Sequence, residues 1–248
     1  MHPIETRERA LNLVRSGAND CQVARALGLP RTTVRDWRRG LHVERPKAGL
    51  HPCPRCWRPA RPVIATPYDY AELLGLYLGD GCIVPAGRVE RLRLSLDAKY
   101  AGIVDDAEAL LRRCFPHARV GRVAADGGST VVLSLYRGHL SCLFPQHGPG
   151  KKHERSVALE DWQRALVRLA PWAFLRGCIR SDGCVFVNRT GRYAYLSYEF
   201  FNHSQDILDA FAEACDHVGV EHRRYARRIR ICRRASVEMM RRHVGLKA

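Results

Sequence analysis

Two aspartates of this 248-residue chain, Asp80 and Asp182, sit in surroundings that repeat. Each closes an apolar run and is followed by glycine: Leu73-Leu74-Gly75-Leu76-Tyr77-Leu78-Gly79-Asp80-Gly81, then Leu175-Arg176-Gly177-Cys178-Ile179-Arg180-Ser181-Asp182-Gly183. Gly75 matches Gly177 and Gly79 matches Ser181, so each run carries small residues on one helical face. A repeat of this kind predicts two similar halves meeting on an axis, with the carboxylates brought together there. A carboxylate at a helix C-terminus lies in an unfavourable dipole field, and a second carboxylate beside it adds repulsion. Bound divalent cations offset both, and two of them can activate water and neutralise the leaving oxygen of a phosphodiester. One Asp-Gly alone reads better as a helix C-cap and turn. The matched context of two copies favours metal.

The elements around each copy also repeat. After Asp80, Cys82–Pro85 and Arg91–Asp97 read as strands, the second alternating strictly, with Leu92, Leu94 and Leu96 inward and Arg91, Arg93, Ser95 and Asp97 outward. A helix over Ile103–Cys114, strands over Ala118–Ala124 and Thr130–Tyr136, and a short helix over Leu140–Phe144 complete the half. A loop over Pro145–Arg155 carries Lys151 and Lys152. The second half brings a helix over Leu159–Leu169, the motif helix from Pro171, a hairpin of Cys184–Val187 with Tyr193–Phe201, a helix over Ser204–Val218, a hairpin within Glu221–Cys232 and a last helix over Ala235–Val244. Arg228 and Arg230 alternate with Ile229 and Ile231, while Tyr198-Glu199-Phe200-Phe201 leaves the register open. The expected architecture is α+β, a pseudo-twofold tandem αββαββα repeat whose basic outer sheet faces form a saddle for duplex DNA.

A small all-α domain precedes it. Helices over Glu5–Ser16, Asp20–Leu27 and Pro30–Arg39 follow from apolar spacing and from breaks at Ser16-Gly17 and Gly28-Leu29-Pro30. The third shows Arg31, Thr32, Thr33, Arg35, Arg38 and Arg39 to solvent and Val34 and Trp37 to a core, the balance of a recognition helix in the major groove. Gln22-Val23-Ala24-Arg25-Ala26-Leu27-Gly28 with Thr33-Val34-Arg35-Asp36-Trp37 resembles the helix-turn-helix of resolvases, transposases and bacterial regulators. A plain three-helix packing module is the alternative. The expected domains are 1–40, a Pro/Arg-rich linker over 41–67, a first half over 68–150 and a second over 151–248. In the linker, Cys53 and Cys56 form one Cys-x-x-Cys knuckle that His51 and His42 would complete as a zinc site; a free thiol pair is the other reading.

The formal charge of +16 suits a polyanion better than a neutral metabolite, and the first quarter supplies half of it. Membrane binding would call for a basic run beside an apolar anchor, and neither is present in the sequence. The scatter of most of the ten cysteines reads as reduced thiols rather than a disulfide framework. A reducing, cytoplasmic setting, nucleoid-associated in a prokaryote-like cell, is expected.

Motif, spacing and element order over Tyr68 to the C-terminus resemble the LAGLIDADG homing endonuclease family in its single-chain, two-motif form. The resemblance implies a monomeric DNA endonuclease of an intron or mobile element that uses Mg²⁺ or Mn²⁺ to cut both strands of a long site. It implies that Asp80 and Asp182 bind metal, together with the backbone carbonyls of Gly79 and Ser181. Rough alignment with the family also marks Lys99, Arg137, His203 and Arg234 as basic residues near the metals, a solvated or phosphate-contacting role being equally open. DNA contacts are expected from the third helix and from Arg91, Arg93, Ser95, Lys151, Lys152, Tyr193, Tyr195, Arg228 and Arg230. The sixth motif position, an acid in the family name, is Leu78 in one copy and Arg180 in the other. The alternative is a non-cleaving regulator of WhiA type, which joins a similar fold to a helix-turn-helix in the reverse order. An RNA maturase is a weaker reading, because the helix-turn-helix favours duplex DNA.

Overall fold

The computed structural model describes residues 4–39, 51–52, 59–60 and 66–247, and the chain divides into two compact units, Met1–Leu50 and His51–Ala248. In the first, α1 (Ile4–Arg15), α2 (Asp20–Leu27) and α3 (Arg31–Arg38) follow the expected helices closely. Asn19 begins α2 with a reciprocal cap. Its side chain accepts from the N–H of Cys21 and Gln22 at 3.1 and 3.0 Å, and Gln22 accepts from the Asn19 N–H at 2.9 Å. Gly28 ends the helix at φ 63°, a left-handed conformation that glycine adopts without steric cost. Pro30 is the cap of α3 rather than its first residue. Val23, Leu29, Val34 and Trp37 make the core, so the apolar stripe of α3 is spent inward and its arginines are left outside.

The second unit begins with a two-residue ladder between β1 (His51–Pro52) and β2 (Pro59–Ala60), within the stretch expected to be plain linker. Cys53, Cys56 and His42 of the expected zinc knuckle lie outside the described residues, as does the side chain of His51. Then come α4 (Pro67–Asp80), β3 (Gly81–Ala86), β4 (Val89–Asp97), α5 (Ala101–Cys114), β5 (Gly121–Ala125), β6 (Thr130–Arg137) and α6 (Leu140–Leu143). After α7 (Asp161–Leu169) the order recurs as α8 (Pro171–Asp182), β7 (Gly183–Thr190), β8 (Tyr193–Phe201), α9 (Gln205–His217), β9 (Arg223–Tyr225), β10 (Arg228–Ile231) and α10 (Arg234–His243). Each half folds its strands into one antiparallel sheet, of order β3-β4-β6-β5 and β7-β8-β10-β9. The matching order is the pseudo-twofold repeat.

Two boundaries differ from the sequence reading by three residues, the others by no more than two. β5 starts at Gly121, so Ala118–Val120 is not strand. The β7–β8 loop shrinks to Gly191-Arg192, because Asn188–Thr190 pair with Tyr195–Tyr193 and Gly191 turns the chain at φ 58°. The open register of β8 is settled by burial: Tyr198 and Phe200 face the core, while Glu199 and Phe201 face outward.

One continuous core joins the halves. Leu92, Leu94 and Leu96 under the first sheet and Tyr198, Phe200, Ile229 and Ile231 under the second pack against α4 and α8. Each such side chain, fully buried, contributes about 1.5–3 kcal/mol. The motif helices meet backbone to backbone. A Cβ built on Gly75 would lie 2.5 Å from the carbonyl oxygen of Phe174, and one on Gly177 would lie 2.9 Å from the backbone nitrogen of Leu76. Glycine at both positions is therefore a condition of this approach.

Candidate metal centre and nucleic-acid interface

The close approach of α4 and α8 delivers their last residues, Asp80 and Asp182, to one open cavity of about 480 Å³. Gly79, Ser95, Lys151, Lys152, Asn202 and His203 line it too. Asp80 and Ser95 also face a second cavity of about 540 Å³ on the other side, where Asp97, Tyr100 and Lys247 stand. A Cβ on Gly79 would come within 2.9 Å of Asp182 Oδ2, so the small-residue ladder continues to the acids themselves.

Both carboxyls are half-buried, and neither forms an ion pair within 4 Å among the described residues. Asp182 Oδ2 accepts one hydrogen bond from Asn202 Nδ2 at 2.7 Å. Burial pushes the Asp80 carboxyl up from its ordinary range, and the charge of Asp182 pushes it further. Asp182 is also raised by burial, against the Asn202 hydrogen bond and two nearby lysines. These lysines are Lys152 and Lys247, and burial pushes both of their ammonium groups down.

The lysines are tied to the ends of the two motif helices. Lys152 Nζ donates to the carbonyls of Tyr77, Leu78 and Gly79 at 2.5, 2.9 and 3.2 Å. Lys247 Nζ donates to Ser181 O at 2.5 Å and Gly183 O at 3.0 Å. The carbonyls left open at a helix C-terminus attract cations. Lys152, expected to contact DNA, is thus turned into the carboxylate site. The Gly79 and Ser181 carbonyls, expected as metal ligands, each already accept an ammonium proton. Lys247 was not anticipated at all. A lysine follows the closing helix of each half, and searching the repeat past its motif would have found the pair.

Of the other expected basic residues, His203 lines the cavity, its ring 5.2 Å from that of His153. Lys99, Arg137 and Arg234 line neither cavity. Lys99 extends over the Tyr100 ring, Arg137 over Phe115, and Arg234 begins α10 in solvent. The deviant motif residues have a definite place. Arg180 reaches across the axis to Glu72 at 2.8 Å and Asp106 at 2.7 Å, and Arg176 reaches Glu72 at 3.5 Å. Glu72 is 4% exposed, so this is a buried ionic contact.

The outer sheet faces carry the residues expected there, in unequal surroundings. On the first, Arg91 donates to Ser134 and lies over Tyr136, and no ion pair engages Arg91 or Arg93 among the described residues. On the second, Arg230 and Arg228 converge on Glu199, beside the exposed rings of Tyr193, Tyr195, Phe201 and Tyr225. On α3 of the other unit, Arg31, Thr32, Arg35 and Arg39 are exposed and Thr33 partly so, whereas Arg38 turns back to Asp20 at 2.9 Å.

The order of elements agrees with what the comparisons with known families and structures find. Residues 170–245 match the LAGLIDADG-like domain family, and residues 1–45 match the Homeodomain-like domain family. The fold is the LAGLIDADG fold. Among solved structures, this chain is similar to I-DmoI in complex with DNA and Mn at 13% identity and TM-score 0.50, over 72% of this chain and 97% of that one. I-DmoI with DNA and Ca gives 14% identity and TM-score 0.50, over 71% and 89%. Full-length DUF199/WhiA from Thermatoga maritima gives 16% identity and TM-score 0.48, over 75% of this chain and 58% of that one. At these identities the likeness is one of fold. No curated protein matches.

At the two helix ends the candidate donors are oxygens, two carboxylates and the carbonyls of Gly79 and Ser181, with His203 on the same cavity. That set fits a hard divalent cation such as Mg²⁺ or Mn²⁺. No group of three His, Cys, Asp or Glu side chains gathers among the described residues, so a soft-metal cage is absent from them. No described helix is long and apolar enough to cross a membrane.

Proposed function

We propose that this chain binds double-stranded DNA as a monomer and hydrolyses both strands of a long site, using divalent cations held by Asp80 and Asp182. One observation carries the reading: two half-buried carboxylates without ion-pair partners among the described residues stand together at the ends of two helices in backbone contact. Lys152, Lys247 and the Asn202 hydrogen bond offset their repulsion and desolvation only in part, since both carboxyls stay raised. When bound, the cations would supply Lewis acidity and a nucleophilic water. Lys152 and Lys247 would keep the helix ends neutralised and place positive charge at the scissile phosphates, and Asn202 would hold Asp182 in orientation. The basic sheet faces would bind the duplex along its backbone and grooves, and α3 would extend the contact. The domain limits 1–40, 41–67, 68–150 and 151–248 remain part of this proposal.

The second reading is a DNA-binding regulator of WhiA type that does not cut. It is favoured by the same lysines, whose ammonium groups already occupy the Gly79 and Ser181 carbonyls. Selection of bound duplexes from a random library, followed by incubation with and without Mg²⁺, separates the two. Under the endonuclease reading, wild type cuts only with Mg²⁺, and Asp80→Asn and Asp182→Asn bind without cutting. Tight, selective binding with no Mg²⁺-dependent scission assigns the chain to regulation.

A further inference from the structure

The outer face of the second sheet carries a single carboxylate in its middle, Glu199, with Cys184 opposite it on β7 and Arg230 opposite it on β10. A negative charge on a face that meets a polyanion lowers affinity unless the carboxylate accepts from a donor on the ligand. The geometry leaves it free to do so. Arg230 donates through both Nε and Nη2 to the same oxygen, Oε2, at 2.8 and 2.6 Å, and Arg228 approaches that oxygen at 3.9 Å. Oε1 accepts no hydrogen bond among the described residues. The side chain therefore presents one oxygen that is held and one that is unused. Its rotamer is fixed by the arginine, and the arginine in turn lies over the Phe186 ring at 5.5 Å.

In the major groove, the donors a carboxylate can take are the exocyclic amines, and the cytosine N4 amine is the one it pairs with characteristically. Phe201, two residues on and on the same face, lines the cavity of Asp80 and Asp182. Glu199 thus stands beside the carboxylate centre and not at the rim of the sheet. On the first sheet the position equivalent to Glu199 is Arg93, opposite Cys82 as Glu199 is opposite Cys184, and the outward arginines there carry no ion pair among the described residues.

We infer that Glu199, held by Arg230, reads a cytosine amino group at one inner position of the half-site under the second sheet, so that the two half-sites are recognised by different chemistry. The inference rests on the proposal that the chain binds duplex DNA, and it needs no cleavage.

The test uses the full chain without divalent metal. Sites selected by wild type from a random duplex library should show one inner position with cytosine on one strand. Relative affinity for that base over the others should fall about tenfold or more in Glu199→Gln and Glu199→Ala, with preferences elsewhere unchanged. Glutamine, which pairs with adenine, should move that position toward adenine. A wild-type measurement guards against a misfolded variant: replacing that cytosine by 2-pyrimidinone, which lacks the amine, should weaken wild-type binding by a similar factor. Unchanged preference at every position, or a uniform change in affinity at all of them, overturns the inference and leaves Glu199 a cross-strand ion pair. A wild type that selects no sequence overturns it together with the proposal of specific DNA binding.

Discussion

Gly75→Ala isolates the contact on which the carboxylate site depends. The added methyl would meet backbone on every side, with the Phe174 oxygen at 2.5 Å, the Cys178 nitrogen at 2.8 Å and the Gly177 carbonyl carbon at 3.0 Å. An ordinary contact needs about 3.5 Å, so α4 and α8 must part by about 1 Å. No flexible side chain is present to give way. Overpacking of this kind costs about 1–3 kcal/mol, and for a unit of this size each kcal/mol lowers Tm by about 2–4 °C. Gly102→Ala is the matched control, since a Cβ there meets nothing within 4 Å and the residue lies exposed in α5. It should stabilise by about 0.4–1 kcal/mol through the unfolded chain. Thermal and urea denaturation of the two variants beside wild type give the comparison. Under the endonuclease proposal, the same 1 Å displacement should lower Mg²⁺-dependent cleavage by about 100-fold at saturating DNA, because catalytic geometry tolerates little error. A Gly75→Ala protein as stable as Gly102→Ala would refute the account of the helix interface.

Asp80→Asn and Asp182→Asn should each, under the endonuclease proposal, abolish cutting and leave Tm unchanged or raised, because a half-buried, repelling charge is removed; a marked fall in Tm would show that the acids hold the fold instead. Lys152→Met leaves three helix-end carbonyls without their charged donor and should cost about 1.5–3 kcal/mol in urea denaturation, whereas an exposed phosphate-contacting lysine would cost almost nothing. Arg180→Leu should cost about 1.5–3 kcal/mol by removing the charged hydrogen bond to buried Glu72 and leaving it only Arg176 at 3.5 Å, and Glu72→Leu combined with Arg180→Leu should cost less than the sum, a coupling that a double-mutant cycle reads directly. In the other unit, Arg31→Ala should reduce the salt dependence of DNA binding by about one unit of slope, and Arg38→Ala by less, since Arg38 is engaged by Asp20.

The sequence by itself determined the elements and their repetition. Leu92, Leu94 and Leu96 could only be one face of a strand, and the glycines of the motif runs could only be close contacts, because periodicity and side-chain size act locally. Asp80 and Asp182 were legible as a pair for the same reason, being placed by two copies of one local pattern. The extent of β7 was not, since pairing of Asn188–Thr190 depends on what the opposite strand offers. Only the tertiary structure decided which cations reach the acids. Lys152 and Lys247 lie far along the chain from the carbonyls they bind; their shared place after the closing helix of each half is a sequence signal, but the helix end that each reaches is set by the fold. Lys99 and Arg234, nearer in a rough alignment, were left outside by the same path of the chain. The unequal faces of the two sheets, with Glu199 neutralising arginines on one and nothing comparable on the other, likewise arise from side chains on strands that meet only when the sheet forms. Spacing settles what a segment becomes, and packing settles which charges become neighbours.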